Sequence, residues 1–322
     1  MTSDLLISTF LGFSKQQNGL SLIDYAQKYA FNQLLPNTTI SLYLAFMKEN
    51  ARDDEEKMIL RNLNVLEQRK DCRMEISKLL SFKLSNNTQF FTGIQFSDSH
   101  AAIPIVSEVG PMRILYLDEF PDDPVCRNNI FKLVEMFSNQ INLIDQMERD
   151  QLTHLLNRKT FNIYYQSMSQ KVMPDNQPPM CLAVLDIDHF KRVNDTYGHL
   201  FGDEVLLHFS QLITRNFRYN DIPFRFGGEE FVVLIDVGEA DKARIALERF
   251  RQAIENYDFP GVGKVTVSIG FVECAPNKLP TTLIDQADQA LYFAKENGRN
   301  QVVSYMELDQ SANDDDGEID LF

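Results

Sequence analysis

The sequence predicts a mixed α/β chain, of the α+β kind, built as two domains of ordinary size with a long helix between them. Three observations carry that reading. The chain has 322 residues, 44% of them apolar, enough to fill two cores. Strand-like apolar runs recur in both halves and alternate with helical spacing. Between the halves, Ile130, Val134, Phe137, Ile141 and Ile144 repeat with spacings of four, three, four and three, which places a helix from about Asp123 to Arg149. The expected boundaries are 1–124 for the first domain, 125–149 for the linker helix, 150–306 for the second domain and 307–322 for a tail.

In the first domain, Ser21 to Leu35 has helical apolar spacing and Thr39 to Met47 is strand-like. Two more strand-like runs, Ala102 to Val106 and Met112 to Leu117, flank a turn at Gly110 and Pro111. Ile103, Pro104 and Ile105, with the strand Arg113 to Asp118, resemble a GAF domain over residues 1 to 124. That resemblance implies a sensor responding to an unknown signal, or a domain serving only for dimerisation. Arg73 rather than histidine follows Cys72, which excludes a bilin attachment signature, and the lone His100 reads as a surface residue rather than a haem ligand. The linker spacing fits the seam of a parallel two-stranded coiled coil, hence a homodimer through the linker helix. An amphipathic helix on its own domain would show a broader stripe, which Leu133 and Leu143 partly provide, and that reading also stands.

The second domain carries the chemistry. Gly227 and Gly228 precede two adjacent carboxylates, Glu229 and Glu230, and the apolar strand Phe231 to Ile235 follows. This is a hairpin that presents acid, with glycines that let the turn bend and a bulky ligand approach the backbone. Upstream, the apolar run Leu182 to Leu185 ends in Asp186, Ile187 and Asp188. An acid at the end of a core strand needs a cation beside it. If Asp186 and Glu229 sit on neighbouring strands, their oxygens and the Ile187 carbonyl form a hard-oxygen site suited to magnesium, or manganese, holding substrate phosphates. The plainer alternative makes Asp188 a helix N-cap and Asp186 a surface end-residue.

From Asp150 to about Tyr305 the chain resembles the GGDEF diguanylate cyclase domain in its GGEEF variant. The resemblance rests on six blocks in order: Asp150 to Thr153 with Leu156 to Arg158, Leu185 to Asp195, Tyr197 to Asp203, Arg225 to Phe231, Thr266 to Gly270, and Ala287 to Asn300. It implies a fold similar to the palm of nucleotide polymerases and class III nucleotide cyclases, and condensation of two GTP into cyclic di-GMP with release of two pyrophosphates. It implies Asp186, Glu229 and Glu230 as catalytic acids, with Asp186, Ile187 and Glu229 holding the metal. Asn194 and Asp203 would read guanine, and a carboxylate at Asp203 favours GTP over ATP because it accepts from the ring N–H and amine. In the plainer reading Asn194 caps a turn and Asp203 starts a helix Glu204 to Ile213; the two readings are compatible. Lys191, Lys295 and Arg299 would contact phosphates, with Phe190, His199, Gly227 and Gly228 completing the substrate site. Arg218 and Asp221 stand where the family's product-inhibition motif stands, with Arg249 as a further contact for the cyclic di-GMP inhibitor; unaided, their spacing equally fits a surface salt bridge. A non-catalytic GGDEF module that binds nucleotide or scaffolds a partner is the rival, and such modules usually lose the hairpin acids or glycines that stand here.

Composition excludes other classes. A net charge of -15 opposes nucleic-acid binding through bulk electrostatics. The four cysteines show no metal or disulfide spacing, and no apolar run reaches membrane-spanning length, so the expectation is a cytoplasmic protein with reduced thiols and no membrane partner. Residues 307 to 322 hold seven acids and no base, which predicts a disordered tail.

Overall fold

Thr39–Met47, rich in β-branched and aromatic residues, forms a nine-residue strand, β1. It lies second in a five-stranded antiparallel sheet whose order is β2 (Met58–Asn62), β1, β5 (Arg113–Asp118), β4 (His100–Ile105) and β3 (Gln95–Ser97). The computed structural model describes residues 3–35, 38–47, 58–62, 76, 95–97, 100–119, 123–170, 180–218, 220–237, 240–274 and 278–308. It divides into two units, Met1–Arg149 and Asp150–Phe322. The expectations at Cys72 and Arg73, and most of the acidic tail, lie outside the described residues.

In the first unit, α1 (Ser3–Ser14) is followed by α2 (Gly19–Tyr25), whose N-cap Asn18 accepts from the Ser21 amide at 2.8 Å. The expected helix to Leu35 is real but not uniform: a π-helical turn at Ala26–Ala30 precedes α3 (Phe31–Leu34). The linker helix is α4 (Pro124–Glu148), opened by Pro124 and by Asp123, which accepts from the amides of Val125 and Cys126.

The coiled-coil expectation requires correction. Ile130, Phe137, Ile141 and Ile144 are fully buried within this unit, with Val134 half-buried, and they pack with Phe13, Leu22, Phe31, Leu42, Ile103 and Leu115. Leu133 is buried as well, so the apolar stripe is wider than a two-stranded seam and covers the sheet, while Leu143 faces solvent. His100 has its side chain 38% exposed, with Nδ1 2.6 Å from Asp118 Oδ1.

A buried ion pair closes the unit. Arg113 donates to both Asp145 oxygens at 2.8 Å, and both side chains are almost fully buried. Gly110 leaves room for it, since a Cβ there would stand 2.0 Å from Asp145 Oδ2. At the end of the same helix, Glu148 accepts from the Gly19 amide at 2.9 Å and so caps α2.

The second unit is built on a six-stranded sheet in the order β11 (Val302–Ser304), β10 (Val267–Glu273), β7 (Met180–Ile187), β9 (Glu230–Asp236), β8 (Ile222–Gly227) and β6 (Leu156–Asn157). The β10–β11 and β8–β6 pairs are parallel and the rest antiparallel. All eight residues of β7 are buried, as a strand covered on both faces must be. On one face lie α6 (Phe190–Tyr197), α7 (His199–Asn216) and α8 (Ala240–Asn256). On the other lie α5 (Phe161–Gln170) and α9 (Pro280–Glu296). Gly270 allows a close backbone approach: a Cβ there would meet the Ala287 carbonyl at 2.1 Å and the Leu291 amide at 2.2 Å. Glu307, expected in the tail, is instead engaged: it pairs with Arg244 and accepts from the Ser304 amide at 3.1 Å.

Asp145→Ala strands the buried Arg113 charge and is expected to cost about 3–5 kcal/mol, read from urea unfolding of the full chain followed by a probe in the first unit. Gly270→Ala drives a methyl group into the backbone of α9 and is expected to cost about 1–3 kcal/mol or more in the second unit, with the first unit's transition unmoved.

Candidate functional site

The end of β7 and the β8–β9 hairpin bring three acids together. Antiparallel register sets Asp186 opposite Glu230 on one side and Ser268 on the other. Glu229 precedes Glu230 in the turn, where Gly227 pairs with Glu230 after a bulge beyond Arg225. Gly228 occupies the first central position of this two-residue turn with φ 49°, which a side chain would strain. A Cβ on either glycine would meet nothing within 4 Å, so the space before the turn is open.

Several carboxylates of like charge meet here. Asp186 is 6% exposed. Burial raises its pKa, Lys295 partly offsets this through an ion pair of 2.8 Å, and Glu230 and Asp188 raise it further. Glu229 is also raised, first by burial, then by the Asp186 charge, with Lys295 opposing and Glu230 adding. The cation that Asp186 required is thus present as Lys295, yet one ammonium stands against several carboxylates. Asp288 on α9 feels the same field, raised by burial and then by Glu230.

Such an excess of hard oxygen suits a divalent ion. Among the described residues no three acidic, histidine or cysteine side chains converge closely enough to chelate one alone. Asp186 and Glu229 could hold such an ion only with water or other ligands completing its shell.

The hairpin is braced by residues whose role the spacing did not reveal. Arg225 donates through Nε and Nη2 to the Gly228 carbonyl, at 3.2 and 2.8 Å, and through Nη1 to Asp150 at 2.8 Å. Asp150 also accepts from the amide and hydroxyl of Thr153, both at 2.8 Å. Burial pushes the Asp150 carboxyl up, but the Arg225 and Thr153 hydrogen bonds outweigh it and hold the group below its ordinary value. The Asp-x-x-Thr spacing at 150–153, a side-chain turn signal, was the visible clue.

Asp188 is not an N-cap. The N-cap position belongs to His189, at φ 58° and without a side-chain bond. Asp188 instead accepts from Ser268 and Thr266 hydroxyls, both at 2.7 Å, and from the Asn300 amide at 3.1 Å.

The remaining predicted substrate residues surround the joint of α6 and α7. Phe190 is buried at the start of α6, Asn194 is half-buried, and Lys191, His199 and Asp203 are exposed. The helix carrying Asp203 starts at His199, earlier than expected, so Asp203 lies one turn inside it. Gly202 brings the two helices close: a Cβ there would stand 2.0 Å from Asn194 Oδ1. Lys295 ends α9, while Arg299 lies in the turn beyond at φ 63°, so they share a helix end rather than a face.

Arg218 is exposed, but Asp221 is buried and already engaged, accepting from the amides of Arg218 at 2.8 Å and Asp236 at 3.0 Å. Burial raises its pKa. Arg249 donates to the Asn216 carbonyl and so lies beside the segment that carries Arg218.

Known proteins resemble the second unit. Residues 147–301 match the family model described as diguanylate cyclase, GGDEF domain. The probable diguanylate cyclase DgcT of Escherichia coli (strain K12) is 40% identical over 161 residues, 48% of this chain and 35% of that protein, so the chain spans about a third of its relative's length. The diguanylate cyclase SiaD of Pseudomonas aeruginosa, solved with its activator SiaC, is 31% identical with a TM-score of 0.50, over 56% of this chain and 70% of that one. The coiled coil and GGDEF domain of DgcB from Caulobacter crescentus, in complex with c-di-GMP, is 29% identical with a TM-score of 0.50, over 55% of this chain and 96% of that one. The acids at the end of β7 and in the hairpin, the lysine on α9 and these likenesses lead to one conclusion: through residues 147–301 the chain belongs to the diguanylate cyclase, GGDEF-domain family.

Proposed function

We propose that the chain condenses two GTP into cyclic di-GMP with release of two pyrophosphates, two copies each presenting one nucleotide. The observation that carries this reading is the register of Asp186 against Glu230, with Glu229 in the turn between open-faced glycines. Asp186, the Ile187 carbonyl and Glu229 would hold magnesium, or manganese, which when bound lowers the cost of deprotonating a ribose hydroxyl and neutralises phosphate charge. The 3'-oxygen of each nucleotide forms a bond to the α-phosphorus of the other, and the bond to the leaving pyrophosphate breaks. Glu230, exposed at the mouth of the hairpin, is positioned to take the hydroxyl proton. Lys191, Lys295 and Arg299 supply donors to the triphosphate, with Gly227 and Gly228 giving it room. Asn194 and Asp203 read the guanine edge, beside Phe190 and His199.

The first unit reads as a GAF-like sensor for an unknown signal, supported by its antiparallel sheet flanked by helices. Arg218 and Arg249, both exposed, offer forks for a guanine dinucleotide, which supports product feedback. Asp221 would join them through the lone pairs that its two amide donors leave free.

A product with twofold symmetry calls for two facing half-sites, hence a homodimer. With the 130–144 seam buried, the second copy is met by the outer line of α4, where Lys132, Met136, Leu143 and Met147 follow at spacings of four, seven and four. Ile7, Phe10 and Leu11 of α1 join that line and form, with Lys132, Glu135 and Met136, a groove of about 330 Å³.

Incubation of the purified chain with GTP, ATP and magnesium is expected to yield cyclic di-GMP as the sole cyclic dinucleotide by mass spectrometry. Glu229→Gln is expected to lower turnover on the order of a hundredfold or more. The same change should not lower the melting temperature at neutral pH. Because the Glu229 pKa is raised in the folded state, that state loses stability as pH rises through the raised value, and the neutral amide removes the loss. Leu143→Glu is expected to shift the sedimentation of the chain toward monomer and to lower activity in proportion, recovered at higher protein concentration. Ile141→Glu, by contrast, is expected to unfold the first unit.

A further inference from the structure

Asp188 makes contacts that the metal and nucleotide roles leave unexplained. Its carboxylate is 4% exposed and carries no cation among the contacts seen; three neutral donors satisfy it. Two of them, the hydroxyls of Thr266 and Ser268, fix it to the start of β10, where the Asp188 amide also donates to the Thr266 carbonyl at 2.9 Å. The third is the backbone amide of Asn300, 112 residues away in sequence.

Asn300 closes a turn of rare geometry. Gly298, Arg299 and Asn300 follow one another at φ 106°, 63° and 47°. Two consecutive non-glycine residues in the left-handed region persist only where the surroundings impose it. Those surroundings are visible. The Asn300 side chain donates to Glu255 at 2.8 Å and accepts from Arg251 at 2.8 Å, so α8 grips it from one side while Asp188 grips its backbone from the other. The Arg299 amide returns to the Ala294 carbonyl at 2.9 Å, tying the turn to α9.

Asp186 and Asp188 thus both reach the far end of α9 and the turn that follows it. Asp186 holds Lys295 directly. We infer that Asp188, acting through Asn300, is a positioning residue that fixes the strained turn at 298–300 and thereby aims Arg299 at the triphosphate of the nucleotide. This rests on the phosphate contact proposed above for Arg299, and it assigns Asp188 and Asn300 no contact with substrate.

The test is a double-mutant cycle on nucleotide binding, read by calorimetry with magnesium and 3'-deoxyguanosine triphosphate, which cannot condense. The parent chain is expected to bind; Arg299→Ala and Asp188→Asn are each expected to weaken binding about tenfold. The pair together should bind within about twofold of Arg299→Ala alone, because Asp188 has nothing left to aim. Unchanged binding in Asp188→Asn overturns the inference, and so does a double variant whose losses multiply, since that marks general damage to the fold. A parent chain that does not bind removes the nucleotide site itself, and this inference with it. Should Asp188→Asn fail to fold, Asn300→Ala carries the test, for it frees the turn from α8 while leaving Asp188 on Thr266 and Ser268. The same non-additivity with Arg299→Ala is required of it.

Discussion

The second unit is organised around one costly placement: a carboxylate, Asp186, at the end of a strand buried on both faces. Ionised oxygen in such a position is tolerated only with compensation. Lys295 supplies part of it, and Glu229 and Glu230 add charge of the same sign. The hydrogen-bonded sheet thus gathers carboxylates of like charge around a single ion pair.

Holding such a site requires stiff neighbours, and the glycines of this unit serve that end in different ways. Gly270 lets α9 press its backbone onto β10, which fixes Lys295 relative to β7. Gly202 lets α7 close onto Asn194. Gly227 and Gly228 meet no atom where a side chain would be, so their value is the empty space and the sharp turn. Arg225 then locks the turn by taking the Gly228 carbonyl and the Asp150 carboxylate in one fork.

Much of this was legible in the sequence because it is local. The strand Thr39–Met47 was read to the residue, and the acid hairpin and the run into Asp186 were found from apolar continuity broken by carboxylates. What escaped was nonlocal. Nothing at Asp188 reveals that its partners stand 78, 80 and 112 residues onward, and a helix-cap reading of an aspartate before a helix is the sound local choice. The pairing of Arg225 with Asp150, 75 residues apart, is hidden in the same way. Side chains that cross between elements are fixed by topology, which spacing along a chain does not encode.

Helix α4 shows a different limit, one of ambiguity rather than distance. Spacings of four and three describe a stripe on a helix without saying what lies against it. A second helix would be satisfied by the narrow line alone. A sheet is wider, and the apolar side chains on this face of it, Leu42, Ile103, Leu115 and Leu117, need a cover of matching breadth. Leu133, buried beside Ile130 and Phe137, widens the stripe to that breadth, so burying it on the sheet removes more apolar surface from water than a two-stranded seam would. Once the sheet has claimed the inner face, any pairing of two chains through this helix has to use the outer one. There the line opens with a charged residue, Lys132, and carries fewer large apolar groups than the inner face.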